Sequence, residues 1–187
     1  REAGAKVIAV SDATGGLYNT KGLDIPELLK RYCVDGQPFR ETKMGDWISN
    51  EELLGLDCTV LVPAALSEQI THKNAAKVRC RILAEGANGP TTLEADQILT
   101  DKGIFIIPDV LANSGGVIVS YFEWVQDAQR FFWKEKDIRD RLHEIITAAF
   151  HRTLQFSTAQ RATMRMAALM SGIDKVAQAH LARGLYP

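Results

Sequence analysis

Four segments of the chain combine small residues with isolated hydroxyl, amide or carboxylate side chains, each directly after an apolar run. They are Ser11–Asp12 before Gly15–Gly16, Pro63–Ala65, Glu85–Gly89, and Pro108–Asp109 followed by Asn113–Gly116. Small residues let a backbone approach a flat ligand, and an aspartate at a strand end can accept hydrogen bonds from both hydroxyls of a ribose. The pattern favours a nucleotide site. Its candidate contacts are Ser11, Asp12, Pro63, Ala64, Ala65, Asn88 and Asn113.

Each of these segments also has a simpler interpretation. Asp12 suits the cap of a tight turn, and Glu85–Gly89 and Asn113–Gly116 contain residues common in ordinary turns. No phosphate-binding G-x-G-x-x-G is present. That fingerprint normally stands about 20 residues before the ribose-binding acid, and Asp12 lies too close to residue 1 for that. We therefore expect the first strand and its glycine loop to precede residue 1.

A second group of residues lies at the start of a predicted helix. Asn113, Gly116, Val117 and Ser120 have the spacing i, i+3, i+4 and i+7, which places them on one helix face. The positive end of the helix dipole favours an anion there, so this face is a candidate carboxylate site. Alternatively, the Ser120 hydroxyl bonds back to a helix carbonyl and has no role in binding.

Neither a metal site nor a nucleophilic triad is predicted. The cysteines, Cys33, Cys58 and Cys80, are odd in number and lack the spacing of a zinc site. The four histidines have no paired spacing, and we expect them to lie on the surface or on helix faces. We therefore expect no metal.

The first half of the chain alternates strand and helix patterns. A strand is predicted at Ala5–Val10, and a helix at Ile25–Tyr32 with Asp24 as its N-cap. Residues 34–46 are predicted to be an irregular loop, followed by a capping box in Ser49–Leu54. Further strands are predicted at Thr59–Val62, Arg81–Ala84 and Ile104–Ile107, and further helices near Thr71–Ala76 and Leu93–Thr100.

These strands are almost continuously apolar, which favours burial on both faces of a mostly parallel, doubly wound, Rossmann-like sheet. From Asn113 onward the apolar spacing predicts three helices, and we expect their aromatic and methionine stripes to be core. The predicted division is a partial dinucleotide-binding domain at 1–112 and C-terminal helices at 113–187. These helices would pack on that domain and reach a substrate cleft.

Composition excludes several classes of function. The 187 residues are 46% hydrophobic, and 22 basic against 23 acidic residues give a net charge of −1. Without a run of Lys or Arg, nucleic acid is not expected as a partner. The apolar runs are too short to span a membrane, so we expect a cytoplasmic protein.

Five segments resemble the coenzyme-binding half of glutamate dehydrogenases in the Glu/Leu/Phe/Val dehydrogenase family. The resemblance covers almost the whole chain. The segments are AKVIAVSDATGGLYN, VLVPAAL, ILAEGANGPTT, IIPDVLANSGGVIVSYFEWVQ and the terminal RGLYP. It implies reversible oxidative deamination of L-glutamate to 2-oxoglutarate and ammonia with NAD, or with NADP, in a hexamer.

The resemblance also assigns roles to the candidate residues. Asp12 corresponds to the adenosine-ribose acid, the Pro63–Ala65 turn to a wall of the dinucleotide cleft, and Asn88 and Asn113 to groups near the nicotinamide. Ser120 corresponds to the hydroxyl that reaches the side-chain carboxylate of the substrate. Because a hydroxyl suits that carboxylate, glutamate is favoured over leucine or phenylalanine.

The resemblance places the catalytic lysine and aspartate in an N-terminal domain to which no part of this chain corresponds. The chain begins at Arg1 and ends as family members end, so we expect a fragment without catalytic residues of its own. A leucine- or phenylalanine-type dehydrogenase domain and a non-catalytic dinucleotide-binding module are the alternatives. Asp12 repels a 2′-phosphate, whereas Ser11, Thr14 and Lys21 are able to accommodate one.

Overall fold

A computed structural model describes residues 4–184. It contains a three-stranded parallel sheet followed by long C-terminal helices, so the predicted α/β class is confirmed. The chain divides into two compact units. The first comprises Arg1–Cys58 and Asn74–Cys80, and the second comprises Thr59–Lys73 and Arg81–Pro187. The end of the RGLYP segment, residues 185–187, lies outside the described residues.

The first unit contains an antiparallel sheet in the order β1 (Ala9–Asp12), β2 (Gly15–Tyr18), β3 (Asp46–Ile48). The first strand therefore lies later than the predicted Ala5–Val10, and it pairs antiparallel with β2. The antiparallel pairing arises because the two-residue turn after Asp12 reverses the direction of the chain and places β2 directly beside β1. Gly15 makes this turn possible, because its φ is +143° and a Cβ there would lie 2.5 Å from the Trp47 ring.

The helices of this unit are short and well capped. α1 (Ile25–Leu29) begins at Asp24, whose carboxylate accepts a hydrogen bond from the Glu27 N–H, and one π-turn at Lys30–Val34 continues it. The predicted 34–46 loop contains a 3₁₀ turn at Phe39–Glu41, and α2 (Asn50–Leu54) has the expected capping box. The core consists of Leu17, Leu23 and Leu28, packed against Val10, Ile25, Phe39, Met44 and Trp47.

The second unit holds the parallel sheet, in the order β4 (Val60–Leu61), β5 (Ile82–Ala84), β6 (Phe105–Ile107). All three strands lie within their predicted ranges. The helix predicted near Thr71–Ala76 is wrong, since this segment forms turns and a 3₁₀ turn at Ala75–Lys77. Its threonine, histidine and asparagine have low helix propensity, and no apolar face stabilises a helix there.

The predicted burial of both sheet faces is also wrong for the described residues. Leu61, Leu83 and Ile106 are buried, whereas Val60 on β4 and Phe105 on β6 are exposed. Successive strand side chains point to opposite faces, so one face of this short sheet is covered and the other is largely open.

Five helices complete the second unit: α3 (Leu93–Asp101), α4 (Asp109–Ala112), α5 (Gly115–Gln129), α6 (Glu135–Gln160) and α7 (Met164–Arg183). The three long C-terminal helices are those predicted, and α4 is an additional short turn of helix. α6 packs along α7, and α7 contacts β6. Within residues 4–184 no helix has the length and apolar character needed to cross a membrane.

The aromatic and methionine stripes are not core as expected. On α5 the side chains of Val117, Tyr121 and Trp124 are exposed, and on α7 so are those of Met166 and Ile173. The buried residues of these helices include Phe122 and Gln126 on α5 and Met164, Ala167 and Ser171 on α7. Apolar spacing predicts which face of a helix is buried. In the described part of the chain, an adjacent face of the same helix is buried instead.

Candidate functional site

Asp12 ends β1 in the first unit, and its carboxylate is already organised by the turn that follows. Its Oδ1 accepts hydrogen bonds from the Thr14 N–H at 2.8 Å and the Thr14 hydroxyl at 2.6 Å. The hydroxyl bond is the main reason that the pKa of Asp12 is lowered. Asp12 thus does cap its turn, and it presents an ionised carboxylate beside exposed Ser11. The negative charge of Asp12 in turn raises the pKa of Tyr32.

The turn after β4 and the loop after β5 meet closely in the second unit. The Pro63 carbonyl accepts hydrogen bonds from the Gly86 N–H at 3.0 Å and the Ala87 N–H at 2.9 Å. A Cβ on Gly86 would lie only 3.0 Å from the Ala64 Cβ. Ala64 and Ala65 are exposed and Pro63 is buried. Small residues are therefore needed where these two strand ends approach one another. This packing is a second reason for them, besides the predicted approach of a ligand.

Asn88 and Asn113 follow β5 and β6, and the structure brings them into contact. The Asn113 Nδ2 donates a hydrogen bond to the Asn88 Oδ1 at 2.7 Å. Asn113 does not belong to α5 as its spacing predicted, because it caps the C-terminus of α4 instead. The two amides lie at the carboxyl end of the parallel sheet, where open α/β sheets bind ligands.

The first turn of α5 contains Gly116 and Val117, and Ser120 follows one turn later. Its N-cap residue, Ser114, makes no capping bond, because the Ser114 hydroxyl donates to the Leu111 carbonyl at 2.9 Å. The space around Gly116 is open, since a Cβ there would meet no atom within 4 Å. In the described part of the chain the exposed Ser120 hydroxyl has no hydrogen-bond partner. A bond back to its own helix therefore does not account for Ser120.

Arg165 was not predicted as a site residue. It lies on α7 beside the carboxylates of Glu85, Asp96 and Asp109, and we call these four side chains the Arg165 cluster. Its guanidinium forms ion pairs with Glu85 at 2.7 Å, Asp96 at 2.8 Å and Asp109 at 3.6 Å. Burial opposes the charge of Arg165, but the hydrogen bonds that it donates to Glu85 and Asp96 raise its pKa well above the usual range. The sequence feature that indicated such a cluster was Glu85. Its carboxylate follows a buried strand, and a buried carboxylate needs a cation beside it.

The predicted contacts therefore fall into two groups. Ser11 and Asp12 lie in the first unit, whereas Pro63–Ala65, Asn88, Asn113 and the α5 residues lie in the second. Within residues 4–184 no cluster of three or more His, Cys, Asp or Glu side chains is arranged to bind a metal ion.

The chain also matches a known protein family over almost its whole length. The model of the family described as glutamate/leucine/phenylalanine/valine dehydrogenase matches residues 1–184. The chain belongs to this family. It matches the C-terminal part of longer family members and spans less than half their length.

Relatives in this dehydrogenase family are similar over almost all of the chain. The catabolic NAD-specific glutamate dehydrogenase RocG of Bacillus subtilis is 48% identical over 183 residues, which are 98% of this chain and 43% of that protein. The glutamate dehydrogenase of Thermotoga maritima is 48% identical over 187 residues, or 100% of this chain and 45% of that protein.

Solved structures of glutamate dehydrogenases have the same fold. The hetero-hexameric enzyme of Thermus thermophilus, in its leucine-bound form, matches with a TM-score of 0.89 and 33% identity, covering 100% of this chain and 44% of that one. The enzyme of Peptoniphilus asaccharolyticus matches with a TM-score of 0.81 and 32% identity, covering 99% and 42%.

Proposed function

We propose that this chain is the coenzyme-binding part of a glutamate dehydrogenase, which interconverts L-glutamate with 2-oxoglutarate and ammonia. The observation that carries the proposal is the Asn88–Asn113 pair beside the open first turn of α5, at the carboxyl end of the parallel sheet. The NAD-specific glutamate dehydrogenases among its relatives support the same assignment. Residues 1–112 would supply the dinucleotide-binding part, and residues 113–187 the helices that reach the substrate.

The residues present fit a nicotinamide dinucleotide. Asp12 would accept hydrogen bonds from the adenosine ribose beside Ser11, and the Pro63, Ala64 and Ala65 turn would form a wall of the cleft. Asn88 and Asn113 would hold the nicotinamide end. When bound, the coenzyme supplies the acceptor for the hydride that leaves the Cα of the amino acid.

Asn113 would also face the substrate together with three residues of α5: Gly116, Val117 and Ser120. The unpartnered Ser120 hydroxyl would donate to the side-chain carboxylate of glutamate, and the first turn of the helix would favour its charge. A leucine- or phenylalanine-type enzyme would place an apolar side chain against its substrate. The polar Ser120 therefore favours glutamate over that alternative and over a non-catalytic module.

We propose NAD as the preferred coenzyme. The ionised Asp12 would lie next to the 2′-phosphate of NADP, and two negative charges in a partly dry cleft repel one another. Exposed Ser11, Thr14 and Lys21 leave NADP as the alternative.

The remaining parts of the reaction are proposed to come from outside this chain. The catalytic lysine and aspartate implied by the resemblance would belong to an N-terminal domain of the same polypeptide, in a cytoplasmic enzyme. The hetero-hexameric state of the Thermus thermophilus enzyme supports oligomerisation of the complete protein. From the resemblance we propose a homo-oligomer, a hexamer.

A chimera tests this proposal directly. In it, this chain replaces the matching C-terminal part of the Thermotoga maritima enzyme, which is 48% identical to it. We expect glutamate-dependent reduction of NAD by the chimera and none by the 187-residue chain alone. Turnover by the chain alone would contradict the proposal that the catalytic lysine and aspartate belong to a separate N-terminal domain. An assembled chimera that binds NAD without turning over glutamate would contradict the reaction.

A further inference from the structure

Arg165 joins three separate elements of the second unit through one side chain. Its Nη1 and Nη2 donate to the two carboxylate oxygens of Glu85 at 2.9 and 2.7 Å. On the other edge, Nε and Nη2 donate to the Asp96 Oδ1 at 2.9 and 2.8 Å. α7 is thereby attached to the loop after β5 and to α3.

The cluster requires an arginine in particular. The side chain of Glu85 is fully buried and that of Arg165 is only 18% exposed. Removal of either side chain would therefore leave an unpaired charge in the interior. A guanidinium presents donors on two edges in a fixed plane, and Glu85 and Asp96 occupy both edges. An ammonium carries the same charge but cannot reproduce this two-sided geometry.

Two carboxylates of the cluster, Glu85 and Asp109, also hold the loops that carry the two asparagines. The Glu85 Oε2 accepts a second bond from the backbone N–H of Asp109 at 2.9 Å. The Asp109 Oδ2 accepts from the Gly89 N–H at 2.8 Å. Both ends of the loop that contains Asn88 are therefore bonded to Asp109.

Asp109 also continues the connection toward Asn113. Its carbonyl accepts the backbone N–H of Asn113 at 3.0 Å, and its Oδ1 accepts the Val110 N–H at 2.7 Å. From Arg165 through Glu85 and Asp109, hydrogen bonds thus lead to both partners of the Asn88–Asn113 pair. Arg165 itself stands 80 residues from Glu85 in sequence.

We propose that Arg165 is a positioning residue: it holds the loops after β5 and β6 in register, so that Asn88 and Asn113 meet the coenzyme and the substrate together. The part that concerns ligands rests on the proposed function. The part that concerns the loops does not, because it follows from the hydrogen bonds of the Arg165 cluster.

Arg165→Lys is the informative variant. Arg165→Met would leave the buried Glu85 without a cation, and its failure to fold would not separate positioning from stability. The matched control is Arg139→Lys on α6. Arg139 also donates from two nitrogens to a carboxylate, that of Glu135, but this pair is exposed and within one helix.

The first measurement is amide hydrogen exchange in the 187-residue chain by NMR. In Arg165→Lys we expect the Asp109 and Gly89 amides to exchange at least about tenfold faster, while the Ala149 amide inside α6 keeps its rate. Arg139→Lys should change none of them. Unchanged exchange at Asp109 and Gly89 in Arg165→Lys would overturn the proposal.

The second measurement is steady-state kinetics of the chimera. Arg165→Lys should lower kcat per folded active site for glutamate by about tenfold or more, because misplaced reacting groups slow the chemistry. The KM for NAD should rise by a smaller factor than kcat falls, since Asp12 still holds the adenosine ribose while Asn88 and Asn113 are displaced at the nicotinamide end. A variant that merely destabilised the fold would retain its kcat at low temperature, and that result would overturn the positioning role. If the parent chimera lacks glutamate turnover, the proposed function fails, and the exchange rates still decide whether Arg165 holds the loops.

Discussion

The Asn113 side-chain amide donates a 2.7 Å hydrogen bond to the side-chain carbonyl of Asn88, 25 residues earlier in the chain. This bond joins the loops that follow two adjacent parallel strands, β5 and β6. It engages the Nδ2 of Asn113 and the Oδ1 of Asn88 with each other, so the two loops are linked through their side-chain amides.

Ser120→Val tests the contact with the substrate carboxylate. A lost hydrogen bond to a charged group typically costs about 1.5–3 kcal/mol, or roughly tenfold to a hundredfold in kcat/KM. We expect the chimera to lose that much activity on glutamate, to keep its NAD affinity, and to gain relative activity on norvaline and norleucine. Steady-state kinetics with the three amino acids measure this. A glutamate kcat/KM within about twofold of the parent would show that Ser120 does not contact the substrate.

Asp12→Ser tests the choice of coenzyme. Its ionised carboxylate is expected to repel the 2′-phosphate by about 1 kcal/mol or more, so the substitution should shift the preference of the chimera toward NADP. The measurement is the ratio of kcat/KM for the two coenzymes. Asp57→Ser is the control, because it removes an exposed carboxylate of the same unit outside the site. An unchanged ratio in Asp12→Ser would show that groups other than Asp12 discriminate between NAD and NADP.

Gly86→Ala tests the close approach of the loops after β4 and β5. The added Cβ would lie 3.0 Å from the Ala64 Cβ, so the Pro63–Ala65 turn must move by a few tenths of an ångström. We expect NAD affinity of the chimera, measured by calorimetry, to fall about threefold to tenfold. Gly172→Ala in α7 is the control. Its Cβ meets no atom within 4 Å, so it should leave NAD affinity unchanged and raise the free energy of unfolding by up to about 1 kcal/mol.

Ser49→Ala tests the capping box of α2. The Ser49 side chain accepts from the Glu52 N–H, so its loss should lower the free energy of unfolding of the chain at pH 7 by about 1 kcal/mol. Bonds from the Ser49 backbone N–H and hydroxyl lower the pKa of Glu52 below its ordinary value of 4.5. The part of the cap that depends on the Glu52 carboxylate is therefore present above that pH, and it is lost as the pH falls through the lowered pKa of Glu52. The difference between variant and parent should shrink in acid.

Urea unfolding at pH 7 and near pH 3 measures this difference. Ser67→Ala is the control, because it removes an exposed hydroxyl outside any helix cap. A difference between Ser49→Ala and the parent that is equal at both pH values would show that the Glu52 carboxylate does not contribute to the cap.

The sequence by itself determined the local features of this protein. Asp24 and Ser49 cap helices as predicted, because a cap involves residues only three positions apart. The three parallel strands and three long helices follow from apolar spacing over a few turns. The two asparagines were identifiable because carboxyl ends of parallel strands share one edge, so their order along the chain already brings their loops together.

Only the tertiary structure decided which distant surfaces meet. The pairing of Arg165 with Glu85, the antiparallel pairing of β1 with β2 and the exposed stripe on α5 were not predictable from periodicity. An apolar or charged pattern shows that a face needs a partner, but many partners satisfy the same local pattern. The choice between them depends on how the whole chain packs, because contacts between distant residues form only where their surfaces fit and their buried charges are paired.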